Sequence, residues 1–113
     1  MKPMSPRRWV LLAASSLASL GALAQSDAQQ TLRSSSLAAT CAACHGTAGR
    51  ALPGAPVPGL AGLPAAELVA QMKAFKEDGR TATVMSQIAK GYSDAQIEQL
   101  AAYFAAQRAE GPP

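Results

Sequence analysis

Hydrophobic positions in the second half of the chain repeat with the period of an α-helix. Leu68, Met72 and Phe75 follow one another at spacings of four and three residues. This pattern predicts an amphipathic helix. Pro64 stands where a helix favours its first residue, and Gly79 is a typical C-terminal stop.

A further helix is predicted close to the C-terminus. Its apolar positions share one helical face: Ile97, Leu100, Ala101 and Phe104. Ser93 and Gln96 match a capping box, in which each side chain satisfies the backbone N–H of the other residue. Between the two helices, residues 84–90 form a short apolar segment that is closed by Gly91.

The chain before these elements, over residues 26–63, divides into a helix and a long loop. Residues 26–40 contain no Gly or Pro, which predicts a helix with Ser26 or Asp27 as its N-cap. Residues 46–63 hold five Gly and three Pro, so we expect a long loop, and a loop of this length in a small domain usually has a function. No stretch alternates with period two. The predicted fold class is therefore all-α.

The N-terminus has the features of a secretory signal peptide. Lys2, Arg7 and Arg8 precede an apolar run over residues 9–20, which is followed by the small-residue pattern 22–24. A retained membrane anchor is the alternative, but the run contains serines and is shorter than the roughly 20 apolar residues of a spanning helix. We expect residues 1–24 to be removed after Ala24. Residues 25–113 would then form a single periplasmic domain without a membrane span.

Removal of the signal peptide changes the charge of the protein. Three of the ten Lys and Arg residues precede residue 25, whereas all seven acidic residues follow it. The mature domain is therefore neutral, which argues against a nucleic-acid partner. Between residues 67 and 90, four basic side chains are offset by three acidic ones, so we expect solvated helix faces there and no strong steering field. The oligomeric state is not indicated.

One short motif carries the chemistry. Residues 41–45 read Cys-Ala-Ala-Cys-His, the pattern of c-type haem attachment. The spacing lets Cys41 and Cys44 each form a thioether with one haem, and it directs the imidazole of His45 at the iron. The sequence therefore predicts one covalent haem c, with His45 as a metal ligand.

Three other interpretations of the motif fit less well. A structural zinc site needs four protein ligands, and the chain has only two Cys and one His. A thioredoxin-like pair is expected beside a βαβ unit, and no strand is predicted. A plain disulfide would close a very small loop and leave His45 without a role.

The second axial ligand is expected to be a methionine thioether, because the chain has no second histidine. Met72 and Met85 are the candidates in the mature chain. Met72 shares a regular helical face with Leu68 and Phe75, where methionine is commonly a core filler. Met85 lies in the short segment between Thr83 and Gly91. We favour Met85, and Met72 stays open as the alternative.

The chain resembles class I bacterial cytochromes c, and more narrowly the haem subunit of flavocytochrome c sulfide dehydrogenases. The matching segments are residues 41–46 with Gly49, then 58–62, 71–75, 80–94 and 100–104. The resemblance implies that Met85 is the distal ligand and that the Pro58 carbonyl accepts a hydrogen bond from His45. It further implies that Leu60 packs on the haem and that the C-terminal helix crosses the N-terminal one.

The resemblance also implies a function, which is electron transfer without catalysis by this chain. We expect a redox partner protein, for example the flavoprotein of a sulfide dehydrogenase. Some members of that branch carry two haem domains, whereas this chain has one motif. The alternatives are a free carrier that donates to a terminal oxidase and a haem protein with an open coordination site for catalysis or gas sensing.

Overall fold

The computed structural model describes residues 25–109. The predicted signal peptide lies outside these residues. Over the described range the chain forms α1 (residues 25–39), α2 (Ala42–His45), a 3-10 turn (Thr47–Gly49), α3 (Ala65–Lys76), α4 (Met85–Lys90) and α5 (Asp94–Ala105). Residues 25–109 contain no β-strand. The predicted all-α fold is therefore confirmed.

The chain divides into two compact units at Arg33 and Ser34. In the first unit the described residues, 25–33, are helical, and the Thr31 hydroxyl donates to the Asp27 carbonyl at 2.9 Å. Ser26 and Asp27 thus lie inside α1, and the prediction that one of them is the N-cap is wrong. The preference of Ser and Asp for the N-cap does not determine where the helix begins, because the backbone is already helical at Gln25.

The second unit, from Ser34 onwards, is built around α3, which packs against both α4 and α5. The two predicted apolar faces supply most of its buried side chains. The buried hydrophobic residues are Ala38, Leu68, Met72, Phe75, Ala89, Ile97, Leu100, Ala101 and Phe104. The part of α1 that belongs to this unit contacts α5, where the Gln99 amide donates to the Ser34 hydroxyl at 3.0 Å.

The ends of α3 differ in detail from the prediction. Pro64 is the N-cap rather than the first helical residue, since its ψ of 132° is extended. The helix ends at Lys76, three residues before Gly79. Asp78 adopts the left-handed conformation expected of a terminal glycine, with φ of 60°. Aspartate tolerates this region better than most residues, and the Asp78 carboxylate is fixed by Lys90 at 3.0 Å.

The capping box at α5 is confirmed. The Gln96 backbone N–H donates to the Ser93 hydroxyl at 3.2 Å, and the Ser93 backbone N–H donates to the Gln96 side chain at 2.9 Å. This reciprocal pair fixes where α5 begins and therefore which of its residues face α3. In the part of the chain that the structure describes, no helix has the length and apolar character needed to cross a membrane.

The predicted loop over residues 46–63 is present, and Gly49 fixes its path. Gly49 has φ of 76°, a conformation that glycine adopts far more readily than other residues. Its carbonyl accepts the backbone N–H of Leu60 at 2.8 Å and of Ala61 at 3.1 Å. The two ends of the loop are thereby held together beside α5, and Leu60 is directed towards the core.

Candidate haem-binding site

The C-x-x-C-H motif forms a single helical turn. The Cys41 carbonyl accepts the backbone N–H of Cys44 at 3.3 Å and of His45 at 2.9 Å, so Cys41 is the N-cap of α2. One turn brings residues 41, 44 and 45 to neighbouring positions. Cys41 is half-buried, Cys44 is exposed and His45 is buried. Both cysteines are free thiols in the structure.

The imidazole of His45 is oriented by the long loop. Its Nδ1 atom lies 2.7 Å from the Pro58 carbonyl oxygen, the contact that the resemblance implied. Because a carbonyl can only accept, Nδ1 must carry the proton and donate it. The lone pair is then on Nε2, the other ring nitrogen, which is the state that a metal ligand requires.

A cavity of about 390 Å³ opens beside this imidazole. Its walls come from the motif, the loop, α3, α4 and α5, and most of them are apolar. The hydrophobic lining includes Pro56, Val57, Pro58, Leu60, Leu63, Leu68, Met72, Phe75, Val84, Met85, Ile88, Leu100 and Phe104. The volume lies within the usual range of cofactor and ligand pockets, roughly 300 to 1,000 Å³.

Both candidate methionines line the cavity, so the structure does not separate them by position alone. Their settings differ. Met72 is buried in the middle of the regular helix α3 and belongs to the core. Met85 is the first residue of the short helix α4 and is half-buried. Met85 can therefore reorient at less cost to the packing of the fold.

A hydrogen bond joins the motif to the segment that follows α4. The Thr40 hydroxyl donates to the Leu37 carbonyl at 2.8 Å and also lies 2.7 Å from the Tyr92 hydroxyl. Thr40 has a single proton to give, so Tyr92 is the donor in the second bond. The bond spans 52 residues of sequence. It ties the residue before Cys41 to a residue that follows α4, the helix that begins at Met85.

The thiol of Cys41 is affected by its surroundings. Partial burial raises its pKa above the ordinary value, against the opposing effect of the Thr40 hydroxyl, 3.8 Å from the sulfur. A thiol with a raised pKa is protonated at neutral pH, since even an unperturbed cysteine has a pKa of about 8.5.

Arg80 is a lining residue that the sequence did not single out. Its guanidinium carbon lies 4.6 Å from the centroid of the Phe75 ring, and Nη1 donates to the Gln71 side-chain oxygen at 3.0 Å. Arg80 is exposed to solvent, as expected, and makes these contacts in addition; Lys76 is half-buried and pairs with Asp94 at 2.8 Å. No hydrophobic periodicity indicates such contacts.

Comparison with known proteins agrees with this geometry. The family model described as cytochrome c oxidase, cbb3-type, subunit III matches residues 29–104. The chain belongs to this cytochrome c family. The predicted resemblance to class I cytochromes c is thus confirmed, and electron transfer is the role of the family.

Several known proteins are similar to the chain. It is 38% identical over 113 residues to the thiosulfate dehydrogenase electron acceptor of Thiomonas intermedia (strain K12), covering all of this chain and 50% of that protein. It is 42% identical over 72 residues to cytochrome c-554(548) of Halomonas halodenitrificans, covering 60% of this chain and 84% of the relative. The cytochrome subunit of sulfide dehydrogenase from Chlorobaculum tepidum is 37% identical over 68 residues, 60% of each chain. The chain therefore spans half the length of the first of these relatives.

Membership of the cytochrome c family implies covalently bound haem c, and the residues of the cavity fit that group. Two thiols, an imidazole with a free Nε2 and a thioether border one apolar cavity. Thiols and imidazole supply the covalent and axial attachments that a c-type haem uses, and thioether sulfur is a common second ligand. The apolar walls suit the face of a macrocycle.

Proposed function

We propose that this cytochrome c domain holds its haem through Cys41 and Cys44, with His45 and Met85 as axial ligands, and carries single electrons between proteins. A bound haem supplies a one-electron ferric/ferrous couple. The observation that carries the assignment is the hydrogen bond from His45 Nδ1 to the Pro58 carbonyl, which leaves Nε2 free towards the cavity.

The surrounding residues determine what the site can do. With His45 and Met85 both engaged, no position on the iron is left for a substrate, so electron transfer remains. Leu60 and the other apolar lining residues exclude water and disfavour the additional positive charge of ferric iron. Together with a thioether ligand, this environment raises the reduction potential.

The haem attachment is tested by a haem stain after denaturing electrophoresis of the protein expressed with a c-type maturation system. A covalent haem survives denaturation, so we expect a stained band for the wild type. The Cys41→Ser, Cys44→Ser double variant should give no band. An unstained wild-type protein would contradict the proposal, and so would a stained double variant.

The distal ligand is tested by the Met-to-ferric-iron charge-transfer absorption band. We expect Met85→Ala to abolish the band. Met72→Ala is the matched control, because it removes the same side chain from the same cavity; it should keep the band and lose stability, by about 2 to 5 kcal/mol for a buried methionine. Loss of the band in Met72→Ala, with retention in Met85→Ala, would assign the ligand to Met72.

For the partner we propose a dehydrogenase that oxidises a reduced sulfur compound and delivers electrons to this domain. We also propose that the protein is exported to the periplasm and that its signal peptide is cleaved after Ala24. The names of two relatives, an electron acceptor of thiosulfate dehydrogenase and a cytochrome subunit of sulfide dehydrogenase, support this class. A flavoprotein that co-purifies with the native protein and reduces it on addition of sulfide would identify the sulfide branch.

Purification of the native protein also separates the remaining possibilities. Intact mass spectrometry should show a chain that begins at Gln25 and carries one haem. Reduction by a thiosulfate-oxidising partner would assign the thiosulfate branch. A monomer that neither class of dehydrogenase reduces would refute the proposed partner and leave a free carrier.

A further inference from the structure

The part of the chain that bears Met85 has little buried surface of its own. Ala89 is the one buried residue of α4. The backbone N–H of Tyr92 donates to the Ala89 carbonyl at 3.2 Å, so the hydrogen bonding of α4 continues to Tyr92. Residues 84–92 therefore form one short unit, which we call the methionine segment. Units with few buried contacts open locally more readily than the core of a fold.

Tyr92, at the end of the methionine segment, is attached to two other parts of the fold. Its carbonyl oxygen accepts a hydrogen bond from Nζ of Lys76 on α3 at 2.9 Å. Its hydroxyl donates to the hydroxyl of Thr40, the residue before the attachment motif, at 2.7 Å. Among residues 25–109, this is the one hydrogen bond that links residues 40–45 to the methionine segment.

The bond between Tyr92 and Thr40 joins the two sides of the cavity that supply the proposed axial ligands. His45 belongs to the motif and Met85 to the methionine segment, and both line the cavity together with Thr40 and Tyr92. Release of Met85 from the iron requires the methionine segment to move away from the motif. A side-chain hydrogen bond is lost once its two heavy atoms separate beyond about 3.5 Å. The bond is therefore made while Met85 is a ligand and broken when the segment opens.

We propose that Tyr92 is a positioning residue, whose hydrogen bond to Thr40 holds the methionine segment against the motif and keeps Met85 in place as a ligand. The inference rests on the proposed function, since it requires the haem and the Met85 ligand. Tyr92 acts through the methionine segment and is not itself a ligand. Because the bond exists in one state and not in the other, its free energy shifts the equilibrium between bound and released Met85.

The test is a titration of the ferric, haem-loaded protein with imidazole, which competes with Met85 for the iron. Loss of the charge-transfer band reports the exchange. We expect Tyr92→Phe to retain the band without imidazole and to raise the apparent affinity for imidazole about 2- to 12-fold, the factor that corresponds to about 0.5 to 1.5 kcal/mol for one hydrogen bond. An affinity equal to or below that of the wild type would overturn the inference.

Ser34→Ala is the matched control. It removes another hydrogen bond between distant side chains, the one from the Gln99 amide at 3.0 Å, and neither Ser34 nor Gln99 lines the cavity. Ser34→Ala should lower the free energy of unfolding as Tyr92→Phe does, and its affinity for imidazole should stay close to that of the wild type. An equal rise in affinity in both variants would show that imidazole binding follows overall stability, and the inference would be overturned.

Variants of Thr40 test the same bond from its other end and cover the case in which Tyr92→Phe does not accumulate. Thr40→Ala removes the acceptor and should also raise the affinity for imidazole. Thr40→Ser keeps a hydroxyl, so its affinity should be close to that of the wild type. An unchanged affinity in Thr40→Ala would overturn the inference.

The double variant Tyr92→Phe, Thr40→Ala separates this bond from other effects of the two substitutions. Since both remove the same bond, the second substitution should raise the affinity for imidazole less in the double variant than it does alone. Fully additive effects would overturn the inference. These outcomes are distinct from failure of the proposed function, which would appear as absence of the haem stain or of the charge-transfer band in the wild type.

Discussion

Replacement of Gly49 by alanine adds one methyl group where the 3-10 turn, the loop and α5 meet. The added Cβ would lie 2.8 Å from Cδ1 of Phe104 and 2.9 Å from the backbone nitrogen of Ala61. Neither neighbour can easily move. Phe104 is 1% exposed, and the Ala61 N–H is hydrogen-bonded to the Gly49 carbonyl. We therefore expect Gly49→Ala to destabilise the fold.

The loss of unfolding free energy in Gly49→Ala has two parts. The left-handed backbone at Gly49, φ of 76°, costs an alanine about 1 to 2 kcal/mol. The steric overlap adds about 1 to 3 kcal/mol, as in other overpacked interiors. The free energy of unfolding should therefore fall by about 2 to 5 kcal/mol, a large part of the roughly 5 to 15 kcal/mol that stabilises a typical domain.

Gly54→Ala is the control for the backbone part. Gly54 has nearly the same φ, 78°, but a Cβ there has nothing within 4 Å. The Gly54→Ala variant therefore has the same cost of left-handed backbone conformation as Gly49→Ala. In both variants the loss of unfolding free energy is reduced by about 0.4 to 1 kcal/mol, because alanine restricts the unfolded chain. Urea denaturation followed by circular dichroism gives both values. Equal losses for the two variants would refute the argument that Gly49 is required by close packing.

Three further outcomes can be measured on the same protein. Tyr92→Phe removes the hydroxyl that donates to Thr40 and should cost about 0.5 to 1.5 kcal/mol in urea denaturation; an unchanged midpoint would contradict this. Ser93→Ala removes the N-cap of α5 and should cost about 1 kcal/mol, whereas an effect below 0.3 kcal/mol would argue against the cap. A hydrogen bond and the charge of Lys76 lower the pKa of Asp94, so this carboxylate stabilises the fold above the unfolded-state pKa of about 4. That contribution is lost on further acidification, and the stability difference between wild type and Asp94→Asn should shrink below about pH 4; a constant difference would contradict the linkage.

Local signals in the sequence were sufficient for the start of α5, the buried face of α3 and the attachment motif. A capping box acts within four residues, so Ser93 and Gln96 identify the start of α5 without knowledge of the fold. The spacing of Leu68, Met72 and Phe75 likewise predicts the buried face of α3. The C-x-x-C-H motif is contiguous, and its chemistry follows from residue type and spacing.

Contacts between distant segments could not be predicted in this way. The position of Arg80 over Phe75 depends on how the chain turns after α3, where Asp78 takes the left-handed conformation expected of Gly79. An aspartate with an ion-pair partner twelve residues away can replace glycine at a helix end, but residue type alone favours glycine. The Pro58 contact of His45 was available only through resemblance to a family.

The wall of the cavity and the core of the fold share residues. Of the nine buried hydrophobic side chains among the described residues, five also line the cavity: Leu68, Met72, Phe75, Leu100 and Phe104. A group that fills the cavity therefore completes the interior and stabilises the native state over the unfolded one. The cellular lifetime of this polypeptide should consequently depend on the supply of haem and on the capacity of the maturation machinery. Molecules without attached haem should be removed by proteolysis before they can compete for redox partners.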